Sequence, residues 1–183
     1  MSTASVIPTV TTWKIDPAHT AAEFKVRHMM VSNVKGQFSA VSGVVTLDEA
    51  DVAHSRAQAS IEAASLNTHD AQRDAHLKSA DFFDVANFPT LRFESTGVTR
   101  TAGGLAVTGK LTIHGVTREV VFTVEGPTAP VKDPWGNTRV GLTATAKINR
   151  KDFGLNWNSA LETGGFLVGE EVAITLEVEL IKD

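Results

Sequence analysis

The residues best suited to chemistry lie between Ser65 and Ser95, where polar groups stand close in sequence to aromatic rings. The polar set is His69, Arg73, Asp74 and His76. The aromatic set is Phe82, Phe83, Phe88 and Phe93. Hydrogen-bonding groups beside an apolar cluster suit a ligand with a polar head and an apolar body. The segment therefore indicates a binding site for an amphiphile.

The same segment is the one convincing helix in the sequence. Asn67 or Thr68 can cap its N-terminus, and acidic residues in the first turn suit the positive end of the helix dipole. Pro89 favours extended backbone before it and ends the segment. These signals predict a short helical insertion over about residues 68–84.

The rest of the chain alternates with a period of two, which is typical of half-buried antiparallel strands. The clearest case is Glu170–Lys182, where bulky apolar residues alternate with smaller or polar ones. Seven further strands are predicted near 20–28, 41–47, 57–63, 91–95, 105–113, 116–124 and 142–150. Eight strands with one inserted helix predict an all-β fold, closed as a barrel or paired as a sandwich.

Small residues on the predicted inward faces indicate a hollow interior. They are Ala57, Ala59, Ala63, Ala144 and Ala146, together with Gly43 and Gly109. A barrel of about eight strands either fills its interior with side chains or holds one small ligand. We therefore expect a hollow barrel with an apolar bore.

Polar residues at strand ends predict a polar rim at one end of that bore. In an up-and-down chain, His28, Arg118 and Arg150 fall at the same end, and Arg73 and His76 of the helix could cover it. The loop Lys151–Gly169 lies at that end too and supplies an aromatic lid through Phe153, Trp157 and Phe166.

Each of these groups has a purely structural alternative. His28 suits a hydrogen-bonded rim histidine, and Arg118 and Arg150 could pair with acidic residues at strand ends. Arg73 and Asp74 could be surface charges of the helix. The phenylalanines could pack as core or lid whatever the function.

Composition narrows the class of protein. The chain has 183 residues, of which 42% are hydrophobic and 21% charged, as in one globular domain. We expect a flexible tail over residues 1–11 and a single domain over 12–183. The net charge of −4 argues against a general nucleic-acid binder.

The N-terminal residues show neither a basic n-region nor a sustained apolar stretch, so a cytoplasmic location is expected. No apolar run approaches the ~18 residues of a transmembrane helix. The chain has no cysteine, which excludes disulfides and thiolate metal sites.

Motifs for catalysis or metal binding are weak. No H-E-x-x-H, G-x-S-x-G or glycine-rich phosphate loop is present. No nucleophile has a dedicated base, so we assign no catalytic residue, no metal ligand and no required cofactor.

Several separated motifs resemble the YceI-like family of polyisoprenoid-binding and lipid-binding proteins, over about Trp13 to Ile181. They are Trp13–Thr20, Phe24–His28, Gly36–Phe38, Gln72–Asp84 with Phe88-Pro89 and Phe93, Leu111–Arg118 and Ile148–Gly154. The resemblance implies an extended eight-stranded antiparallel barrel, lipocalin-like in shape. It also implies that the bore holds a long amphiphile such as an isoprenoid quinone or a polyprenyl phosphate. Many relatives are exported to the periplasm, whereas this sequence shows no signal.

Our interpretation is a protein that carries or sequesters an isoprenoid-type lipid without chemical turnover. The predicted cavity residues are Phe24, Val26, Ala59, Ile61, Phe82, Phe83, Phe93, Leu111, Phe122, Ala144, Phe153 and Trp157. The predicted polar rim is His28, Arg73, His76, Arg118 and Arg150, whose arginines would favour a phosphate head.

Three alternatives stay open. One is a lipid- or quinone-modifying enzyme that uses His28, Asp74 or His76. Another is a stress-related interaction module with a filled barrel. The third is a homodimer, which an open edge could support if strand eight does not close on strand one.

Overall fold

The alternating segments form twelve β-strands in the computed structural model, which describes residues 9–183. The strands are β1 Val10–Ile15, β2 Ala21–His28, β3 Ser32–Phe38, β4 Val41–Asp48, β5 Arg56–Glu62, β6 Leu66–Asn67, β7 Thr90–Thr101, β8 Gly104–Ile113, β9 Val116–Glu125, β10 Val131–Lys132, β11 Thr138–Asn149 and β12 Val168–Lys182. The α-helix is α1, Ala71–Lys78, and short 3-10 turns span Pro17–His19, Val52–His54, Ala63–Ser65 and Arg150–Phe153.

These strands occupy eight positions in one sheet, because some neighbours in sequence follow each other along a shared partner. Both β1 and β2 pair with β12, first at Ile15↔Leu180 and then at Ala22↔Leu176. In the same way β3 and β4 continue each other, as do β5 and β6, and β9 and β10 follow each other along β11. The 3-10 turn Pro17–His19 interrupts the first long strand, because Asp16 caps it and Pro17 suits its first position.

The sheet closes into an antiparallel barrel. On one side β12 pairs with β11 from Arg139↔Ile181 to Asn149↔Glu171, and on the other side with β1 and β2. The prediction of an eight-stranded antiparallel barrel is confirmed. Closure also removes the open edge between the last and first strands on which the alternative of a homodimer depended.

One seam of the barrel is short. β9 and β11 pair only from Thr143↔Glu125 to Thr145↔Thr123. Beyond these pairs the 3-10 turn Arg150–Phe153 packs against β9, and its Phe153 is 1% exposed within the hydrophobic core. Phe153 is predicted as a cavity residue and as a lid residue, but its ring packs into the core beside this seam and does not line the cavity.

The helix is shorter than the predicted 68–84. Asp70 caps it, with its carboxylate accepting a hydrogen bond from the Arg73 backbone N–H at 2.9 Å, so neither Asn67 nor Thr68 is the cap. Asn67 pairs with β3, and Thr68 bonds to the Asp74 side chain. After Lys78 the chain forms hydrogen-bonded turns up to Phe88.

The predicted tail, residues 1–11, falls only partly within the described residues. Residues 1–8 lie outside them, and β1 begins at Val10. Over residues 9–183 the structure has no helix long and apolar enough to span a membrane.

Candidate ligand-binding site

The barrel encloses an elongated cavity of about 280 Å³ with an almost wholly apolar lining. Its lining reaches from Trp13, Val140 and Leu180 at one end of the barrel to Leu77 and Ile148 at the end that carries α1. The first three side chains form their own packed cluster and close their end. The other end, here called the helical end, is covered by α1 and the turns that follow it.

Most of the predicted cavity residues line this space. They are Phe24, Val26, Ala59, Ile61, Phe82, Phe83, Phe93, Leu111, Phe122 and Ala144. The period-two pattern placed the eight strand residues among them correctly on inward faces, since alternate residues of a strand point to one side of the sheet. Phe82 and Phe83 lie in the turns after α1.

Trp157 does not line the cavity but packs over the aromatic residues at its helical end. Its ring centroid lies 5.3 Å from that of Phe82 and 4.7 Å from that of His76. Because Phe82 lines the cavity, Trp157 forms an outer layer over the aromatic residues that cover the helical end. The third predicted lid residue, Phe166, is exposed to solvent.

The small inward residues contribute unequally to the cavity. Ala57, Ala59 and Ala144 line it, whereas Ala63 lies in a buried 3-10 turn and Ala146 packs against the core.

The inward glycines make room for neighbouring side chains. A methyl group at Gly109 would overlap the Phe93 ring, and one at Gly43 would lie 2.8 Å from Ile15 Cδ1. The prediction that these glycines leave empty volume is wrong, because the space beside them is filled.

The predicted rim residues share one end of the barrel, as the strand directions require. The β2–β3 turn, the segment between β6 and β7, the β8–β9 turn and the loop before β12 all lie there. Of the five polar residues, however, only Arg150 lines the cavity as described for residues 9–183. A shared end is confirmed, and convergence of all five side chains on the cavity is not.

Arg150 is 3% exposed and organises the loop that follows it. Its guanidinium donates hydrogen bonds to the backbone carbonyls of Leu155 at 2.5 Å, Trp157 at 2.9 Å, Gly169 at 2.8 Å and Val168 at 3.3 Å. Burial lowers the pKa of this guanidinium. Most of its donors are therefore committed to the protein backbone rather than presented to a ligand.

Arg73 and Asp74 fix α1 to β6. Arg73 Nε donates to Thr68 Oγ1 at 2.8 Å, and Nη2 donates to the Thr68 carbonyl at 2.8 Å. Asp74 accepts from both the backbone N–H and the hydroxyl of Thr68. Their role is to position the helix that covers the cavity.

His76, His28 and Arg118 have separate surroundings. His76 Nε2 lies 2.8 Å from Asp81 Oδ2, and its ring packs on Trp157. His28 is half-buried at the end of β2, opposite Val168. Arg118 is exposed and donates to the neighbouring Thr117 carbonyl at 3.0 Å.

The four phenylalanines of residues 82–93 do not form one cluster. Phe82 packs on His76, Phe83 on Phe38, Phe88 on His114, and Phe93 on Phe122. Three of them, Phe82, Phe83 and Phe93, still line the cavity, while Phe88 covers the β8–β9 turn.

Some residues that line the cavity were not predicted as site residues, although their alternating apolar pattern is present in the sequence. The apolar face of β12 lines the cavity through Val172, Ile174, Leu176, Val178 and Leu180. Its strict alternation identified the face, and only closure of the barrel made it a cavity wall.

A charged network at the closed end of the barrel had no clear signal in the sequence. Arg139 Nη1 donates to Asp16 Oδ2 at 2.6 Å and to Glu179 Oε1 at 2.5 Å, and Nε donates to Asp133 Oδ2 at 2.7 Å. His19 Nδ1 lies 2.8 Å from Asp16 Oδ2. Hydrogen bonds from His19 and then Arg139 lower the pKa of Asp16 to about 2, and the Asp16 carboxylate raises the pKa of His19.

This network contains the one metal-compatible group found over residues 9–183, made of Asp16, His19 and Glu179. The Arg139 guanidinium already bonds to both carboxylates. A cation therefore occupies the position that a metal ion would need.

Comparisons with known proteins agree with this architecture. The sequence model of the YceI-like domain matches residues 13–180. A UPF0312 protein of Staphylococcus aureus strain N315 is 40% identical over 171 residues, which cover 93% of this chain and 97% of the relative.

Solved structures share the fold. BcnA of Burkholderia cenocepacia superposes with a TM-score of 0.74 at 27% identity, covering 90% of this chain and 98% of that one. The YCEI protein of Campylobacter jejuni gives a TM-score of 0.71 at 29% identity, covering 87% of this chain and 91% of that one.

A third structure, a polyisoprenoid binding domain from Saccharophagus degradans, gives a TM-score of 0.66 at 16% identity, covering 94% of this chain and 99% of that one. A family match that runs from β1 to β12, together with the curated relative, settles the assignment: this chain belongs to the YceI-like domain family.

Proposed function

We propose that this protein binds the hydrocarbon tail of a long amphiphilic lipid, such as an isoprenoid quinone or a polyprenyl phosphate, inside the barrel. The observation that carries the proposal is the apolar cavity of about 280 Å³ that follows the barrel from Trp13 to Ile148. Ligand pockets commonly measure about 300–1,000 Å³, so the volume lies just below the lower end of that range. An elongated apolar space suits a chain-like guest.

Burial of the tail would supply the affinity. Removing ~300 Å² of apolar ligand surface from water gives about 7 kcal/mol at ~25 cal/mol per Å². Lost freedom on association offsets several kcal/mol of that gain, although the apolar surface of the cavity wall adds to it. Micromolar binding is therefore expected without a strong polar contact.

The surroundings of the cavity favour a neutral head group over a phosphate. A buried phosphate would need several free donors, and the four hydrogen bonds of Arg150 to backbone carbonyls leave this guanidinium little capacity. We therefore propose that the tail determines binding and that quinone-type heads are preferred to phosphorylated ones.

The comparisons support this proposal only in part. The Saccharophagus degradans domain is described as polyisoprenoid binding, but at 16% identity its likeness to this chain concerns the fold. The shape and chemistry of this chain's own cavity therefore carry the argument.

We further propose that binding occurs without chemical turnover. The alternative enzyme depends on His28, Asp74 or His76. Asp74 accepts hydrogen bonds from Thr68, and His76 contacts Asp81 and packs on both Phe82 and Trp157. These contacts account for both side chains as parts of the cover over the cavity.

Native mass spectrometry of the purified protein, followed by organic extraction, tests the proposal. We expect a mass increase equal to one lipid per chain and an extract that contains an isoprenoid lipid. A protein that stays at its bare mass, even after incubation with isoprenoid quinone in detergent micelles, would contradict it.

A further inference from the structure

The turn between β2 and β3 exposes large apolar side chains at the helical end of the barrel. Met30 is 60% exposed and Val31 76% exposed, and Met29 and Phe166 are also exposed. Together these residues are called the methionine tip. A cluster of exposed apolar side chains on one projection is typical of an interaction surface.

The backbone of the tip is strained. Met29 and Met30 both have positive φ, at 49° and 61°. Glycine, asparagine and aspartate tolerate this conformation far better than methionine does. Folding alone would favour small polar residues here, so the two exposed methionines point to a function.

Several contacts hold the tip in place. The Met29 N–H donates to the Leu167 carbonyl at 2.8 Å, which ties the turn to the neighbouring loop. Arg27 Nη2 donates to the Met30 carbonyl at 3.1 Å, and a methyl group at Gly165 would overlap Met30 Sδ. The side chains of Met29, Met30 and Val31 are therefore presented by an ordered turn, next to the fourth tip residue, Phe166.

Basic residues flank the tip on the outer face of the same hairpin. Lys25 and Lys35 are cross-strand partners, and Arg27 follows one face position nearer to the tip. All three are exposed, and over residues 9–183 none forms an ion pair. Like charges directly opposite each other destabilise a hairpin, and a bound anionic surface would relieve this repulsion.

We propose that the methionine tip docks onto an anionic lipid bilayer. Apolar side chains beside a basic flank are the combination that binds a membrane interface, where the side chains enter the headgroup region and the cations meet anionic lipids. The basic flank is local, since the chain as a whole has a net charge of −4. That contrast of charge favours an anionic membrane over a second copy of this acidic protein.

Docking would place the helical end of the cavity against the bilayer. Val26 and Val168 line the cavity and lie a few residues from the tip on either side. This inference extends the proposed function and rests on it, because a lipid carrier must exchange its ligand with a membrane. Docking itself is measured without any ligand.

Flotation of the full chain with vesicles tests the proposal. We expect it to float with vesicles of equimolar phosphatidylglycerol and phosphatidylcholine, to bind phosphatidylcholine vesicles much more weakly, and to dissociate as salt rises. Replacing the strained pair by Met29→Asn and Met30→Gly should weaken vesicle binding on the order of tenfold or more, since apolar burial is lost. The same variant should raise the melting temperature because strain is relieved, so lost binding cannot be ascribed to unfolding.

Two further variants separate the contribution of the basic residues to vesicle binding from that of the apolar side chains. Lys25→Gln and Lys35→Gln should each weaken binding to the anionic vesicles by about fivefold, as expected for one charge near an anionic surface. Trp135→Ser is the matched control, since Trp135 is 81% exposed in the β10–β11 turn at the closed end of the barrel. It should leave flotation unchanged.

Undiminished flotation of the Met29→Asn/Met30→Gly variant, or loss of flotation in Trp135→Ser, would overturn the proposal. So would light scattering that shows a wild-type dimer disrupted by the tip variant, with no vesicle binding, because a second copy would then cover the tip. Native mass spectrometry without vesicles reports on the cavity separately. A wild-type chain that carries lipid but does not float with vesicles would contradict docking alone, and one that floats but carries no lipid would contradict the proposed function alone.

Discussion

Asp16 Oδ2 accepts a hydrogen bond from Arg139 Nη1 at 2.6 Å, although the two residues are 123 positions apart in the chain. The same guanidinium donates to Asp133 and Glu179. Arg139 thereby joins the β10–β11 turn, β12 and the interruption between β1 and β2. This contact locks the closed end of the barrel.

Asp16→Asn should destabilise the protein in a pH-dependent way. Asparagine can still cap the 3-10 turn, so the variant isolates the loss of the charge. We expect a loss of about 1–2 kcal/mol in the free energy of unfolding at neutral pH. Because the pKa of Asp16 is lowered to about 2 in the folded state, the wild-type advantage should be complete above about pH 4 and vanish as the pH falls to about 2. Urea unfolding across this pH range gives the difference in the free energy of unfolding between wild type and variant. A difference that does not change with pH would contradict this role of the Asp16 charge.

His19→Gln should show the opposite dependence. Its hydrogen bond to Asp16 raises the pKa of His19, so the stabilisation belongs to the protonated imidazole. The difference from wild type should be present below about pH 6 and shrink as the pH rises through the raised pKa. A difference that grows with pH would show that His19 acts through another interaction.

Arg150→Ala should destabilise the fold strongly. The substitution removes the hydrogen bonds of the guanidinium to the backbone carbonyls of Leu155, Trp157, Val168 and Gly169. The Val168 carbonyl keeps the hydrogen bond from Asn158 Nδ2 at 2.8 Å. We expect a loss of roughly 3 kcal/mol or more, since each unsatisfied buried polar group costs about 1–3 kcal/mol. Arg118→Ala is the matched control, because Arg118 is exposed and bonds only to its neighbour's carbonyl, and it should change stability by less than about 0.5 kcal/mol. Thermal unfolding would contradict the structural role of Arg150 if both variants behaved alike.

Gly109→Ala should also destabilise the barrel. Its new methyl group would overlap the Phe93 ring, which packs against Phe122 at a centroid distance of 5.2 Å, and would lie 2.5 Å from the Glu94 carbonyl oxygen. Overpacking of this kind costs about 1–3 kcal/mol. Gly97→Ala on the preceding strand is the control, because nothing lies within 4 Å of its added methyl group. Equal melting temperatures for the two variants would show that the barrel accommodates the methyl group at Gly109 without strain.

Ala144→Phe should weaken lipid binding without unfolding the protein. Ala144 is buried, lines the cavity and pairs with Leu176, so a phenyl group would occupy space proposed for the ligand. Ala59→Phe should act in the same way from the opposite wall. We expect a loss of at least tenfold in affinity for an isoprenoid quinone, on the order of the contribution of one buried apolar group.

Thr145→Phe is the matched control for this pair. Thr145 follows Ala144 on β11 and is exposed on the outer face, so its ring should leave binding unchanged. Fluorescence titration gives the affinities. Full binding by a folded Ala144→Phe variant would mean that the lipid does not occupy this part of the cavity.

Much of the fold could be predicted, because the alternation of apolar and polar residues along a strand indicates which side chains are buried. Ala59 and Phe122 were placed correctly on the cavity wall, since every second residue of a strand shares a face. The helix boundary was less accurate. Thr68 is a good cap by type, yet tertiary contacts to Arg73 and Asp74 engage it, and Asp70 caps the helix instead.

The polar groups were the least predictable part of the candidate site. Strand direction told which end of the barrel Arg118 and Arg150 occupy, but not where each guanidinium would find its hydrogen bonds. Arg150 lies in a 3-10 turn that folds back on its own loop, and Arg118 turns outward to solvent. The salt bridge between Asp16 and Arg139 could not be predicted either, because only barrel closure brings β1 and β11 close to β12.

Photo-crosslinking tests the central claim most directly. An isoprenoid quinone analogue with a diazirine on its tail, irradiated with the protein and followed by peptide mapping, reports where the tail lies. We expect labels on cavity residues such as Phe93, Leu111 and Ile174, which face the barrel interior. Labels confined to exterior side chains such as Val121 or Trp135 would contradict it.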